Sequence, residues 1–217
     1  MDFAVARRNM VECQLRTNRI TQEAVIAAMG EVPRERFVPD DLVNIAYVDE
    51  DLAVGGERFL VEPMVLGRLL QECRANLDDV ALLVGCGTGY SAAVLSKLCG
   101  AVFALESDGT FVEKASSLLA TLGADNAVVV EGALDKGWPG EAPYNLIVFD
   151  GAVAEVPTGI LDQLADDGRL VAVVCDDQDV GRATLMEKRG GVLSSRTLFD
   201  ANTPLLPGFA KSAGFVF

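Results

Sequence analysis

The sequence predicts an α/β fold built on a doubly wound, mostly parallel sheet, preceded by an N-terminal helical extension. Three observations carry the prediction. The stretch from Val80 to Glu106 reads as strand, glycine turn, helix and strand, with apolar runs at Val80–Val84 and Ala101–Leu105 around a helical pattern that reaches about Cys99. Those runs are too apolar to face water on either side, which is how strands inside a parallel sheet read. Further apolar runs then recur with helical patterns between them, the alternation expected of sheets covered by helices on both faces.

In chain order, residues 1–18 suit an amphipathic helix, with Met10, Val11 and Leu15 inward and Arg7, Arg8, Glu12 and Arg16 toward solvent. A second helix starts at Ile20-Thr21-Gln22, with Thr21 expected as its N-cap and Val25, Ile26, Met29 and Val32 as its buried stripe. Pro33 ends it, and Arg34–Pro39 reads as an irregular connector. The pair Gly55-Gly56 marks a turn, and Pro63 fits the first turn of a helix over Met64–Arg74. After the central unit, helices are predicted at Thr110–Leu122 and Pro157–Leu164. Strands are predicted at Asn126–Glu131, Tyr144–Phe149 and Arg169–Cys175, with Val192–Phe199 and Gly214–Phe217 closing the sheet. Residues 1–75 form the helical and loop segment and 76–217 the sheet, expected to fold as one compact unit.

Composition excludes several function classes. The chain has 32 acidic and 18 basic residues, a formal net charge of −14, so it offers no basic stripe for a nucleic-acid backbone. No apolar run approaches the ~20 residues of a membrane span, and no signal peptide is recognisable, so a cytoplasmic setting is expected. The cysteines Cys13, Cys73, Cys86, Cys99 and Cys175 are scattered without a C-x-x-C pair, which suggests neither a disulfide framework nor a metal site. The acidic run Asp176–Asp179 reads as a solvated loop. Histidine is absent altogether, which removes Ser-His-Asp and Cys-His mechanisms and the commonest general base.

The turn Gly85-Cys86-Gly87-Thr88-Gly89 lets a ligand approach the backbone, and Glu106, at the end of the second strand, stands where nucleotide-binding α/β folds place an acid for ribose hydroxyls. A dinucleotide fold usually shows G-x-G-x-x-G, with a pyrophosphate on the helix N-terminus. Here the third glycine comes one residue early, which favours S-adenosylmethionine, with NAD as the minor alternative. Glu131-Gly132 and Asp150 fall at the ends of neighbouring strands, around the same crevice.

The motifs now on the page, in order, are V-P-R-E-R-F-V-P (Val32–Pro39), A-Y-x-D (Ala46–Asp49), the glycine turn, x-P-M (Glu62–Met64) and G-x-G-x-G. They continue in Glu131-Gly132, Gly137-Trp138-Pro139, Ala142-Pro143-Tyr144, Glu155-Val156-Pro157, and Leu161-x-Gln163-Leu164 with Gly168. This series resembles the protein-L-isoaspartate O-methyltransferase family to about residue 175. The resemblance implies a class I, Rossmann-like methyltransferase fold that uses S-adenosylmethionine. It implies that Gly85, Gly87 and Gly89, with Cys86 and Thr88 between them, lie against the methionine part, that Glu106 holds the ribose, and that Glu131 and Gly132 contact adenine. The implied acceptor is the carboxylate of an isoaspartyl-containing protein or peptide.

The chain departs from the pattern in specific places. Leu83 stands where the family has an acid, and Glu131 where it usually has Asp. At the substrate loop the family reads G-x-G-Q-T-I-S-x-P, whereas Phe59 and Val61 replace the hydroxyl residues here and Arg58 the glutamine. An apolar side chain offers no donor to a carboxylate, a loss of roughly 1–3 kcal/mol per unmade bond. Two candidate catalytic residues follow. Arg58 is expected to grip an acceptor carboxylate bidentately, and Asp150 to orient or deprotonate a different acceptor such as a small molecule; the bland reading of Asp150 is a cap or turn residue. A paralogue that keeps the fold and binds or regulates without catalysis is the remaining alternative.

Overall fold

The computed structural model describes residues 2–175 and 180–210. Helix α1 (Phe3–Met10) is capped by Asp2, whose carboxylate accepts from Ala4 N and Val5 N, and it runs into one π-helical turn at Val11–Leu15. Helix α2 (Glu23–Glu31) buries Val25, Ile26, Ala28 and Met29. Its cap position is Gln22 rather than Thr21, and no side chain of its own caps it. The Gln71 side-chain oxygen instead accepts from Thr21 N at 2.7 Å and Gln22 N at 3.0 Å, so the donors are satisfied from another helix.

Strands β1 (Leu52–Gly55) and β2 (Arg58–Leu60) form a separate antiparallel hairpin. Helix α3 (Pro63–Glu72) follows, with Pro63 in its first turn. The central unit is β3 (Val80–Val84), α4 (Tyr90–Ser96) and β4 (Ala101–Glu106), then α5 (Gly109–Thr121) and β5 (Ala127–Glu131). The chain continues through β6 (Tyr144–Val153), α6 (Thr158–Leu161), β7 (Leu164–Val174), β8 (Arg182–Arg189) and β9 (Val192–Asp200).

The seven-stranded sheet has the order β5-β4-β3-β6-β7-β8-β9, parallel as far as β7 and antiparallel through β8 and β9. Strand order therefore reverses beside β3, and the crevice past its carboxyl end is where ligands of such sheets bind. Because side chains alternate across a strand, Ala81, Leu83, Ala104 and Val148 join a core shared with α2 and α3, while Leu82, Val84, Leu105 and Ile147 join a second core on the opposite face. Arg169 ties the sheet to the N-terminal segment. Its guanidinium donates to both Asp79 carboxylate oxygens and to the carbonyls of Cys73 and Arg74.

Several differences from the sequence prediction have physical causes. Strand β8 was not foreseen, because its second half, Glu187-Lys188-Arg189, is charged and lies toward the solvated margin of the sheet. The helix expected over Pro157–Leu164 is only the short α6, and Leu164 already begins β7, paired with Tyr144. The expected Gly214–Phe217 strand and the Asp176–Asp179 loop lie outside the described residues. In the described C-terminal region, a strap over residues 204–209 follows the end of β6: Ala152 N donates to Pro204 O, Leu206 N to Ala152 O and Ala154 N to Phe209 O. Among the described residues no helix is long and apolar enough to cross a membrane.

Candidate functional site

The residues singled out in the sequence do converge. Gly85, Gly87 and Gly89 have φ values of +82°, +50° and +93°, the left-handed region that glycine adopts freely, so the turn from β3 to α4 depends on them. Glu106 ends β4 directly beside this turn, and Gly87 N donates to Glu106 Oε2 at 2.9 Å. Glu131 is its parallel register partner on β5, and Gly132 N donates to Glu106 O at 2.9 Å. Gly132 in turn lies against the ring of Trp138, whose Cζ3 would be 3.4 Å from a Cβ placed there. Asp150 lies in β6, on the other side of β3 from Glu106.

Glu106 is fully buried and densely partnered. Ser107 N and Asp108 N donate to its Oε1 at 2.6 and 3.1 Å, and the Arg58 guanidinium grips it through Nη2 at 2.6 Å and Nε at 3.0 Å. Burial alone would raise this carboxyl's pKa. The hydrogen bond and charge of Arg58, with the backbone donors of Asp108 and Gly87, outweigh it and hold the pKa below the ordinary value. Arg58 is itself only 4% exposed, and its Nη2 also donates to Ser107 Oγ at 3.0 Å. The sequence expectation placed the Arg58 fork on an acceptor carboxylate. The structure places it on Glu106, with Nη1 left only a 3.5 Å contact to Gly56 O.

The neighbouring loop explains this placement. Gly55, Gly56 and Glu57 all have positive φ, Glu57 at +57°, which folds the hairpin tip back onto the start of α5 beside Phe111 and Asp108. Leu60 and Val61 are buried in the core shared with α2 and α3 and so anchor the loop, and Phe59 is half-buried. On the opposite side of the turn the strap brings Leu206 against Gly85. A Cβ on Gly85 would meet Leu206 Cδ2 at 2.6 Å.

Asp150 is 7% exposed and accepts from Ser91 Oγ at 2.7 Å. Burial pushes its carboxyl up to about 7, against the Ser91 hydroxyl and the charge of Arg34, which favour the ionised form. It therefore titrates near neutrality, as a proton acceptor would need to. Arg34 is fully buried; it donates to the carbonyls of Ala46 and Val61 and stacks its guanidinium 4.9 Å from the Tyr90 ring centroid. Sequence reading treated Arg34 as part of a connector and passed over Ser91, Tyr90 and Leu206. Only the V-P-R-E-R-F-V-P motif held a signal for any of them, since an arginine between prolines and apolar residues is well placed to be buried. Among the described residues no group of three or more His, Cys, Asp or Glu side chains is placed to hold a metal.

Comparison with known proteins settles the kinship. The sequence pattern of the protein-L-isoaspartate(D-aspartate) O-methyltransferase family matches residues 6–201. The chain is 36% identical over 180 residues to protein-L-isoaspartate O-methyltransferase 1 of Rhodopseudomonas palustris, covering 83% of this chain and 74% of that one. The chain belongs to the protein-L-isoaspartate O-methyltransferase family. A second member, from Opitutus terrae, is 35% identical, with 88% of this chain and 82% of the relative covered. At the level of fold, a Plasmodium falciparum structure described as a protein-L-isoaspartate O-methyltransferase in complex with S-adenosyl-L-homocysteine aligns with a TM-score of 0.78 at 18% identity, over 95% of this chain and 98% of that one. The architecture is that of the class I methyltransferases, and the family's enzymes transfer methyl groups from S-adenosylmethionine.

The chemistry of this chain's cradle suits such a nucleoside, but its carboxylate as folded is already engaged. A carboxylate at the end of β4 is the right partner for a ribose diol, and the buried Thr88 Oγ1 has no hydrogen-bond partner among the described residues. Yet Arg58 and backbone donors occupy both Glu106 oxygens, Leu206 covers Gly85, and Gly85–Gly89 are all buried by the chain itself.

Proposed function

We propose that the protein methylates the free carboxylate of isoaspartyl residues in proteins or peptides, with S-adenosylmethionine as donor, in a cytoplasmic setting. The observation that carries this reading is the family pattern over residues 6–201, which spans the hairpin, the glycine turn and the strand ends together. A carboxylate is already an anion at neutral pH and needs no base, which accords with a chain that lacks histidine altogether. The protein's task is then to hold the acceptor in line and exclude water.

In this reading Gly85, Cys86, Gly87, Thr88 and Gly89 form the backbone wall of the cradle, Glu106 its ribose acceptor, and Glu131 with Gly132 its far edge. Asp150 and Ser91 form a polar pair on the β6 side, next to the charge of Arg34. Because Phe59 and Val61 bring no hydroxyl, acceptor affinity is expected to be weak. The test is transfer of labelled methyl to an isoaspartyl peptide, with the same peptide in its aspartyl form as control. Label on the isoaspartyl peptide alone is the expected outcome; equal or no labelling of the two peptides overturns the acceptor.

A further inference from the structure

The guanidinium that the sequence suggested for an acceptor is spent inside the protein, on the carboxylate meant for the ribose. We infer that Arg58 is a built-in occupant of the nucleoside cradle, holding Glu106 in the absence of cofactor, so that ligand enters only when the hairpin tip at residues 55–58 is displaced. This rests on the cofactor reading above and adds to it how the site is kept closed.

Four observations carry the inference. The first is geometry: Arg58 meets Glu106 as a fork, Nη2 to Oε1 at 2.6 Å and Nε to Oε2 at 3.0 Å, which leaves the carboxylate no free oxygen for a diol. The second is position. The Arg58 Cβ and Cγ lie 3.7 and 3.9 Å from where a Cβ on Gly87 would stand, so the side chain runs along the open face of the turn that glycine keeps clear for a ligand.

The third is that the hairpin divides into an anchored body and a free tip. Leu52, Val54 and Leu60 are buried in the core, whereas Gly55, Gly56 and Glu57 are exposed and all three hold positive φ, Glu57 among them without glycine's freedom. A short turn in that conformation can relax outward while the body stays in place. The fourth is Thr88, whose buried hydroxyl remains unpartnered even with Arg58 in place. The occupant satisfies the carboxylate and leaves the rest of the turn wanting.

The energetic consequence is competition. If the cradle is open only a small fraction of the time, the apparent dissociation constant for a nucleoside is the intrinsic one divided by that fraction. Ligand and guanidinium bid for the same two oxygens, so whatever removes the guanidinium raises ligand affinity.

The test is calorimetric titration of the full chain with S-adenosyl-L-homocysteine, for the wild type and for Arg58→Ala, together with hydrogen exchange of the wild type with and without that ligand. The expected result is that Arg58→Ala tightens binding by about tenfold or more, and that saturating ligand speeds amide exchange at residues 55–58 of the wild type. Because Arg58→Ala leaves a buried carboxylate without its cation, the wild-type exchange result decides the matter if that variant is not folded. Binding by the wild type as tight as by the variant, with residues 55–58 slowed on ligand addition, overturns the inference and leaves the cofactor reading standing. Failure of both folded proteins to bind overturns the inference and the cofactor reading together.

Discussion

Glu106 would resist ionisation if burial acted alone, and it is ionised because Arg58 and three backbone donors face it. The pair is mutual, so Glu106→Gln strands a buried guanidinium. Removing one partner of a buried pair costs about 3–5 kcal/mol, and urea denaturation of the variant should show a loss in that range. Since the folded pKa of Glu106 lies below its unfolded value, the stability it contributes is present above the unfolded pKa and lost as pH falls through the folded one. Asp150 works in the opposite sense. Its carboxyl is raised to about 7, so the folded state holds a proton that the unfolded state has released, and stability falls as pH rises from about 4 toward 7. Asp150→Asn should therefore be more stable than the wild type at pH 8, by about 2–4 kcal/mol, and the gap should close near pH 4. A gap that does not change with pH would show that burial does not set this titration. Of these residues, the glycines, Glu106 and Glu131 were legible in the sequence because each sits at a strand end or in a short local pattern, whereas Asp150, expected just past a strand ending at Phe149, lies inside β6, which runs on to Val153 through an irregularity between Val148 and Ala152. The partner of Arg58 was not, because 48 positions separate it from Glu106 and only the folded hairpin brings them together.

Among the elements, the strap over residues 204–209 meets the turn after β3 where Leu206 lies on Gly85. Gly85→Ala places a Cβ into Leu206 and forces alanine to a φ of +82°. Overpacking of this kind costs about 1–3 kcal/mol, with backbone strain added. In a Leu206→Ala background the steric part should vanish and the strain part remain, so a double-mutant cycle in denaturant should give a coupling of about 1 kcal/mol or more; strict additivity would place Leu206 away from Gly85. The parallel strands were readable because strands covered on both faces are uniformly apolar. The strap was not, since Asn202-Thr203-Pro204-Leu205-Leu206-Pro207 has neither strand nor helix periodicity and is tied to the sheet by hydrogen bonds to the distant end of β6. The Thr21 cap failed for a similar reason: Gln71 supplies the acceptor from 50 positions away, and no local rule reaches that far.

At the scale of the molecule, a formal charge of −14 spread over 217 residues means that acidic groups repel one another across the surface. Screening shortens the reach of that repulsion from about 30 Å at 0.01 M salt to roughly 3 Å at 1 M. The denaturation midpoint should therefore rise with sodium chloride, and a fall would mean that the exposed pairs, such as Arg16 with Glu12 and Glu23, matter more than the net charge. Fold class and family were plain from the sequence because they rest on many short patterns in order, whereas the closed state of the cradle depends on which side chain wins a contested place. Trp138, which lies against Gly132 at the far edge of that cradle, is the sole tryptophan of the chain. The protein's ultraviolet emission at tryptophan wavelengths thus comes from a single indole beside Gly132, and under the proposed function a nucleoside bound there should shift it, a native optical gauge that needs no dye.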